Sequence, residues 1–125
     1  MFQVLKSEGN VLGIEIKEEY TKDDVEAFKK AFESKLAEGH DRVNVLVKMD
    51  QLSLTKIKLS AFVEDSFYSL KYLDKLRHIA VVGDRKLEKA IIELDNQLLG
   101  NEKKDLIEKY FDVSDMDKAW DFVRS

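Results

Sequence analysis

The sequence predicts one α/β domain that spans residues 1–125. Some segments have the pattern of β-strands: apolar and polar residues alternate in them, or all residues are apolar. Between these segments lie others whose apolar residues recur every three or four positions, as in amphipathic helices. The length of 125 residues suits one hydrophobic core. Apolar residues make up 44% and charged residues 37% of the chain, which is typical of a globular protein with a strongly charged surface.

A β-hairpin and a helix are predicted first. Residues 2–6 and 11–16 have strand patterns, and the polar turn between them contains Gly9, which takes a positive φ readily. Thr21 and Asp24 have the spacing of a capping box, with Asp in place of the usual Glu, so they mark a helix start. The apolar face of this helix consists of Val25, Phe28, Phe32 and Leu36. Gly39 marks its C-terminal end.

The middle of the chain alternates strands with helices. In residues 42–49, polar and apolar residues first alternate and are then followed by consecutive apolar residues, which indicates a strand buried on both faces. A helix is predicted over residues 57–76, and another apolar strand over 78–83. Asp84 is placed to cap a third helix, which Gly100 ends.

A strand and a helix close the chain. Residues 106–111 are a strand candidate, and Ser114 with Asp117 repeats the capping-box spacing. The predicted order is therefore β-β-α-β-α-β-α-β-α. Strands that alternate with helices imply parallel pairing with right-handed crossovers, and the hairpin adds an antiparallel edge strand. The apolar residues of the last helix are Met116, Ala119, Trp120 and Val123.

The composition excludes several classes of protein. The chain has no Cys, which rules out disulfides, thiolate catalysis and sulfur-ligated metals. Charged residues interrupt every apolar stretch well before the about 20 residues that a membrane-spanning helix needs. The start, MFQVLKSEGNVLG, lacks the pattern of a signal peptide, so we expect a cytoplasmic protein. The formal net charge of -4 argues against nucleic acid as a partner.

Two segments carry a resemblance to a known family. They are LRHIAVVGDRKLEKA at 76–90 and KYFDVSDMDKAWDFV at 109–123, and their most specific parts are the runs AVVGD at 80–84 and YFD at 110–112. Together with the order of elements, they resemble the SpoIIAA-like family over nearly the whole chain. The resemblance implies a STAS-like, CRAL-TRIO-like fold. Among relatives of that fold, STAS proteins act in phospho-switched partner binding and SEC14-type proteins carry lipids.

The phosphorylation motif of those STAS relatives does not match. Anti-sigma-factor antagonists have an Asp-Ser pair, a further hydroxyl residue and a Gly, with the phosphorylated Ser at a helix start. This chain has DQLSLTK at 50–56, where Ser53 and Thr55 are hydroxyls in roughly the right region, but the Asp-Ser pair and the Gly are missing. The motif is therefore not carried over.

The first candidate site is the segment 52–59. It alternates apolar residues with lysines and hydroxyls, and it follows the carboxyl end of a predicted parallel strand, where ligands of α/β sheets usually bind. This pattern suits a membrane surface or an amphipathic ligand, and it equally suits a core-anchored loop with a solvated charged side. The residues assigned to ligand or membrane binding are Leu52, Leu54, Lys56, Ile57, Lys58, Leu59 and Phe62.

The second candidate is an apolar stripe on the helix predicted over 57–76, opposite its core face. Tyr68 and Tyr72 are four residues apart and therefore neighbours on this stripe, with Leu76 at its margin. Such a stripe needs a partner, a bilayer surface or a ligand to cover it. Single exposed Tyr residues are also ordinary on protein surfaces. We treat these three residues as a candidate interaction surface.

The third candidate is an anion site at a predicted junction from strand to helix. There Gly83, Arg85 and Lys86 would receive a phosphate or carboxylate with backbone N–H groups and two cations. A lone Gly is a weak signal for such a site. The alternative is that Gly83 allows a tight turn and Asp84 caps the helix, where its carboxylate would repel a bound anion.

Catalytic and metal-binding patterns are not recognisable in the sequence. His40 and His78 lack a spaced cluster of carboxylates, so we expect structural roles for both. No Ser-His-Asp order, nucleophile elbow or paired-acid arrangement can be specified. We therefore expect no enzyme activity, no cofactor and no metal.

The residues support two functions. In the first, a non-catalytic domain binds a small apolar or lipid-like ligand, or contacts the inner face of the membrane peripherally, through the segment 52–59 and the helix after it. In the second, the chain is a STAS-type regulatory module whose Tyr68 and Tyr72 lie at the centre of a homodimer interface. The sequence does not separate these two functions.

Overall fold

Five β-strands form one sheet in the part of the chain that the structure describes. The computed structural model describes residues 2–18, 21–50, 75–84 and 107–125. Its elements are β1 (Phe2–Glu8), β2 (Val11–Ile16), α1 (Lys22–Ala37), β3 (Val43–Lys48), β4 (Leu76–Gly83), β5 (Ile107–Asp112), a 3₁₀ turn (Val113–Asp115) and α2 (Met116–Arg124). No helix within these residues has the length and apolar character needed to cross a membrane.

The sheet is mixed, with the order β1-β2-β3-β4-β5. β1 pairs antiparallel with β2 through a turn in which Gly9 has a φ of 53°, whereas β2, β3, β4 and β5 pair in parallel. This arrangement confirms the predicted α/β fold with an antiparallel strand at one edge. The parallel strands end together at the carboxyl edge (Ile16, Lys48, Gly83 and Asp112) and begin together at the amino edge (Val11, Val43, Leu76 and Ile107).

The predicted capping box starts α1. The Asp24 N–H donates to Thr21 Oγ1 over 3.3 Å, and the Thr21 N–H donates to Asp24 Oδ2 over 3.0 Å. Two backbone donors that a helix start leaves without partners are thereby satisfied. The helix ends before Gly39, whose φ of 100° suits a residue without a side chain. Both predicted boundaries of this helix are confirmed.

α1 covers one face of the sheet with an apolar core. Phe28 and Phe32 are fully buried, and their ring centroids are 6.4 Å apart. The apolar residues of β3 are buried towards both faces, as the sequence predicts. The buried residues of this cluster are Leu12, Ile14, Ile16, Phe28, Phe32, Val43, Val45, Val47, Met49, Leu76, Ile79 and Val81.

α2 covers the opposite face. The ring of Trp120 lies over Gly13 of β2, and a Cβ atom at position 13 would overlap that ring. A glycine is therefore needed in the middle of β2 for close approach rather than for a turn. The buried residues of this second cluster are Val11, Leu46, Ala80, Val82, Ala119 and Val123, with Phe111, Met116, Trp120 and Phe122 packed around them.

The start of α2 differs from the prediction. Ser114 lies in the 3₁₀ turn, and its N–H and Oγ–H both donate to Asp112 Oδ2, over 3.0 and 2.7 Å. The helix begins at Met116, and its N-cap residue, Asp115, makes no side-chain capping bond. The capping box predicted from Ser114 and Asp117 is wrong because the nearer carboxylate of Asp112 takes the Ser114 hydroxyl.

Leu76 also differs from the prediction. It is the first residue of β4, and its side chain is fully buried in the core on the α1 side. The predicted helix ends too late, because Leu76, its last residue, belongs to a strand. Leu76 is therefore not part of an exposed interaction surface. Residues 57–74 of that predicted helix, and the third predicted helix after Asp84, lie outside the described residues.

Candidate functional site

The ends of β3 and β4 are adjacent at the carboxyl edge. Lys48 is in register with Val82, and the Met49 N–H donates to the Val82 carbonyl over 2.8 Å. Because the two strands are parallel, the chain leaves both of them at this edge. The carboxyl edge of an open α/β sheet is where ligands usually bind. It is therefore the candidate functional site.

A cluster of charged side chains lies at this edge. Lys48 Nζ is 2.8 Å from Glu15 Oε2 and 2.6 Å from Asp50 Oδ1. Glu15 is 5% exposed, and Lys17 Nζ lies 3.6 Å from its other oxygen. A carboxylate this well buried is stable only with such partners. We call Glu15, Lys48 and Asp50 the edge ion cluster.

Lys48 is held in its charged form. Partial burial acts to lower its pKa, but hydrogen bonds and the negative charges of Asp50 and Glu15 outweigh burial and raise the pKa above its usual value. A lysine in this state is a cation at neutral pH and a poor nucleophile. The cluster therefore supplies fixed charge at the edge. Glu15, a charged residue inside the apolar strand VLGIEI, was the signal that sequence reasoning missed.

The end of β4 carries part of the predicted anion site. Gly83 is the last residue of β4 and pairs with Asp112 of β5. Directly after it, the Asp84 carbonyl accepts a hydrogen bond from the Tyr110 hydroxyl. This bond holds the chain against β5 as it leaves the sheet.

Most of the other predicted site residues lie outside the described part of the chain, so their roles stay predictions. These residues are Leu52, Leu54, Lys56, Ile57, Lys58, Leu59, Phe62, Tyr68, Tyr72, Arg85 and Lys86. The structure does describe residues that closely precede two of these segments, at the ends of β3 and β4. The segment 52–59 begins two residues beyond Asp50, and Arg85 directly follows Asp84.

The second histidine of the chain is part of the α2 interface. The His78 Nδ1–H donates to the Phe122 carbonyl over 3.1 Å, and the imidazole stacks on the Phe122 ring at 4.5 Å between centroids. Burial lowers the pKa of His78, and the nearby charges of Arg77, Lys109 and Arg42 lower it further. These contacts agree with the structural role expected for His78. Within the described residues, no group of three or more metal-ligating side chains comes together.

These features together define the class of protein. A five-stranded mixed sheet with an antiparallel edge hairpin, four parallel strands and a helix on each face is a STAS-like α/β domain. The family model SpoIIAA-like matches residues 11–124. The chain therefore belongs to the SpoIIAA-like family, and the resemblance seen in its sequence is confirmed. No curated protein and no solved structure shows a significant match to it.

Proposed function

We propose that this chain is a non-catalytic binding domain for a lipid-like, amphipathic molecule, which it takes up singly or at a membrane surface. Contact would be made at the carboxyl edge through the segment 52–59 and Phe62. Apolar contacts would come from Leu52, Leu54, Ile57 and Leu59, and an anionic headgroup would meet Lys56 and Lys58. Gly83, Arg85 and Lys86 would add a second anion-binding group.

The observation that carries this proposal is the parallel pairing of β3 with β4. Two candidate sites that are about 30 residues apart in the sequence start from neighbouring strand ends. The segment 52–59 begins two residues beyond Asp50, a span of at most about 7 Å along the chain. An amphipathic ligand has an apolar part and a charged headgroup. The apolar segment would contact the first and the pair of cations the second, and both follow strand ends at one edge of the sheet.

The expected attraction is modest. Each Lys or Arg near an anionic membrane surface contributes about 1 kcal/mol. The four cations of the proposed site would therefore give reversible binding that depends on anionic lipid and weakens with salt.

Vesicle co-sedimentation tests the proposal. We expect the protein to pellet with vesicles of phosphatidylcholine and phosphatidylserine more than with phosphatidylcholine alone. The double variant Leu52→Asp/Leu54→Asp should lose this binding, and Lys56→Glu/Lys58→Glu should lose its dependence on anionic lipid. Ile107→Asp is the matched control, because Ile107 is 48% exposed at the amino edge. Equal pelleting of control and site variants would contradict the proposal.

Native mass spectrometry separates the two forms of binding. A bound mass that is lost on denaturation indicates uptake of a single ligand, whereas vesicle binding without it indicates surface contact. The alternative is a STAS-type regulatory module that acts as a homodimer through Tyr68 and Tyr72, and family membership supports only the STAS-type domain. A dimer without bound mass that Tyr68→Glu dissociates would support that alternative.

A further inference from the structure

A cleft of about 580 Å³ opens at the amino edge, away from the carboxyl edge. Three separate segments form it: the turn between β1 and β2, the connection from α1 to β3, and the start of β4. A volume of this size falls within the range of small-molecule sites, about 300–1,000 Å³. The lining residues are Asn10, His40, Asp41, Arg42 and Arg77.

Backbone contacts fix the shape of this cleft. Arg42 Nη2 donates to the Leu76 carbonyl over 2.6 Å, which holds its guanidinium across the starts of β3 and β4. Asn10 Nδ2 donates to the Arg42 carbonyl over 3.4 Å, and the Asn44 N–H donates to the Asn10 carbonyl over 2.8 Å. The three segments are therefore held together before any ligand arrives, which lowers the entropy cost of binding.

The described lining of the cleft carries two arginines, although the whole chain is acidic. Arg42 and Arg77 line it, and Asp41 is the one carboxylate among its described lining residues. The Arg77 side chain is exposed and forms no hydrogen bond or ion pair with the rest of the described chain. An unused guanidinium in a concave site has five donors in a fork that matches the oxygens of a phosphate.

We propose that the amino-edge cleft binds the phosphate group of a small phosphomonoester, with Arg77 donating the hydrogen bonds and Arg42 contributing charge. The cleft exceeds the size of a lone phosphate ion, so it has room for the esterified part of the ligand. Asp41 would repel free phosphate but would accept hydrogen bonds from hydroxyl groups beside the phosphate. The ligand class is therefore a phosphorylated, hydroxyl-bearing molecule such as a sugar phosphate.

Titration with ribose 5-phosphate, followed by NMR amide shifts at low salt, tests this assignment. We expect shifts at Asn10, Arg42 and Arg77, and none with unphosphorylated ribose. Arg77→Glu should weaken binding at least about tenfold, as expected when a charged hydrogen bond is lost, and Arg77→Lys should retain part of it. Lys118→Glu is the control, because Lys118 is 75% exposed and does not line the cleft.

Three results would overturn the proposal. They are a lack of shifts with ribose 5-phosphate, equal shifts with ribose, and equal weakening by Arg77→Glu and Lys118→Glu, which would indicate only a general effect of charge. Loss of vesicle binding at the carboxyl edge leaves this test unaffected, because the two sites use different residues.

Discussion

The two faces of the sheet are joined to their helices by different forces. On the α1 side, Phe28 and Phe32 pack on aliphatic side chains of β2, β3 and β4, and a single buried lysine, Lys35, donates to Ser7 Oγ of β1 beside this apolar cluster. On the α2 side, the strands also present buried polar groups, namely Glu15, Asn44 and His78. The α1 interface depends mainly on the burial of apolar surface. The α2 interface also depends on hydrogen bonds, which require a particular geometry.

The difference follows from the size of the two helices. α1 has 16 residues and buries two aromatic rings, whereas α2 has nine residues and fully buries only Ala119 and Val123. A helix leaves its last carbonyls without intrahelical partners. Here the sheet supplies donors to them: Asn44 Nδ2 bonds to the Val123 carbonyl over 2.6 Å, and His78 Nδ1–H bonds to the Phe122 carbonyl. A short helix is thus anchored by its end as well as by its face.

The α1 interface should show the largest loss of stability. Phe32→Ala removes a fully buried ring, and we expect the free energy of unfolding to fall by about 3–5 kcal/mol in urea titration. Val4→Ala is the control, since Val4 is 46% exposed, and it should change stability by less than about 0.5 kcal/mol. A loss below about 1 kcal/mol for Phe32→Ala would show that α1 contributes little to the core.

The α2 interface should be most sensitive at Asn44. Asn44→Ala removes the bond to Val123 and the acceptor of the His78 N–H, which leaves two buried backbone groups unpaired. We expect a loss of about 2–3 kcal/mol. Hydrogen exchange should speed up in α2 while α1 keeps its protection. Equal loss of protection in both helices would mean that the two faces do not behave separately. Asn10→Ala, which removes a longer hydrogen bond at a partly exposed position, should have a smaller effect.

Gly13→Ala tests the close approach of α2 to β2. The new methyl group overlaps the Trp120 ring, and overpacking of this kind costs about 1–3 kcal/mol. Trp120 is the one tryptophan of the chain, so its emission should report the displaced ring directly. In a double-mutant cycle, Trp120→Leu should relieve most of the penalty. Additive losses would show that the ring does not cause the effect.

The smallest predicted effect is a pH dependence confined to the α2 side. Because the folded-state pKa of His78 lies below its usual 6.5, the unfolded chain binds the proton more readily than the folded chain does. The free energy of unfolding that depends on neutral His78 is fully present above the pKa that this residue has in the unfolded chain. It decreases as the pH falls below that pKa. Urea titrations at about pH 7.5 and about pH 5.5 should show this loss. His78→Gln should reduce it and His40→Gln should retain it, and identical pH slopes in both variants would refute the assignment.

Elements with local signals were predictable. The hairpin turn at Gly9, the capping box of Thr21 and Asp24, and the doubly buried strand β3 each depend on a few neighbouring residues, and the structure confirms them. The apolar residues predicted for the last helix also pack as expected.

Features that depend on distant residues were not predictable. The sequence does not show that Asp112 takes the Ser114 hydroxyl, or that Leu76 begins a strand, because each outcome is decided by competition between partners. The edge ion cluster joins β2 to the end of β3, and the amino-edge cleft joins three loops. Only the pairing of strands brings these side chains together.

The capping of α2 by the sheet also bears on how the chain is made. Asn44 and Val123 are 79 positions apart, so the residues of β3 and β4 leave the ribosome well before their helix exists. Until then, Leu46, Ala80 and Val82 lack the cover that α2 gives them, and exposed apolar sheet surface promotes association between nascent chains. Docking of the last turn of α2 therefore removes this apolar surface from contact with other chains.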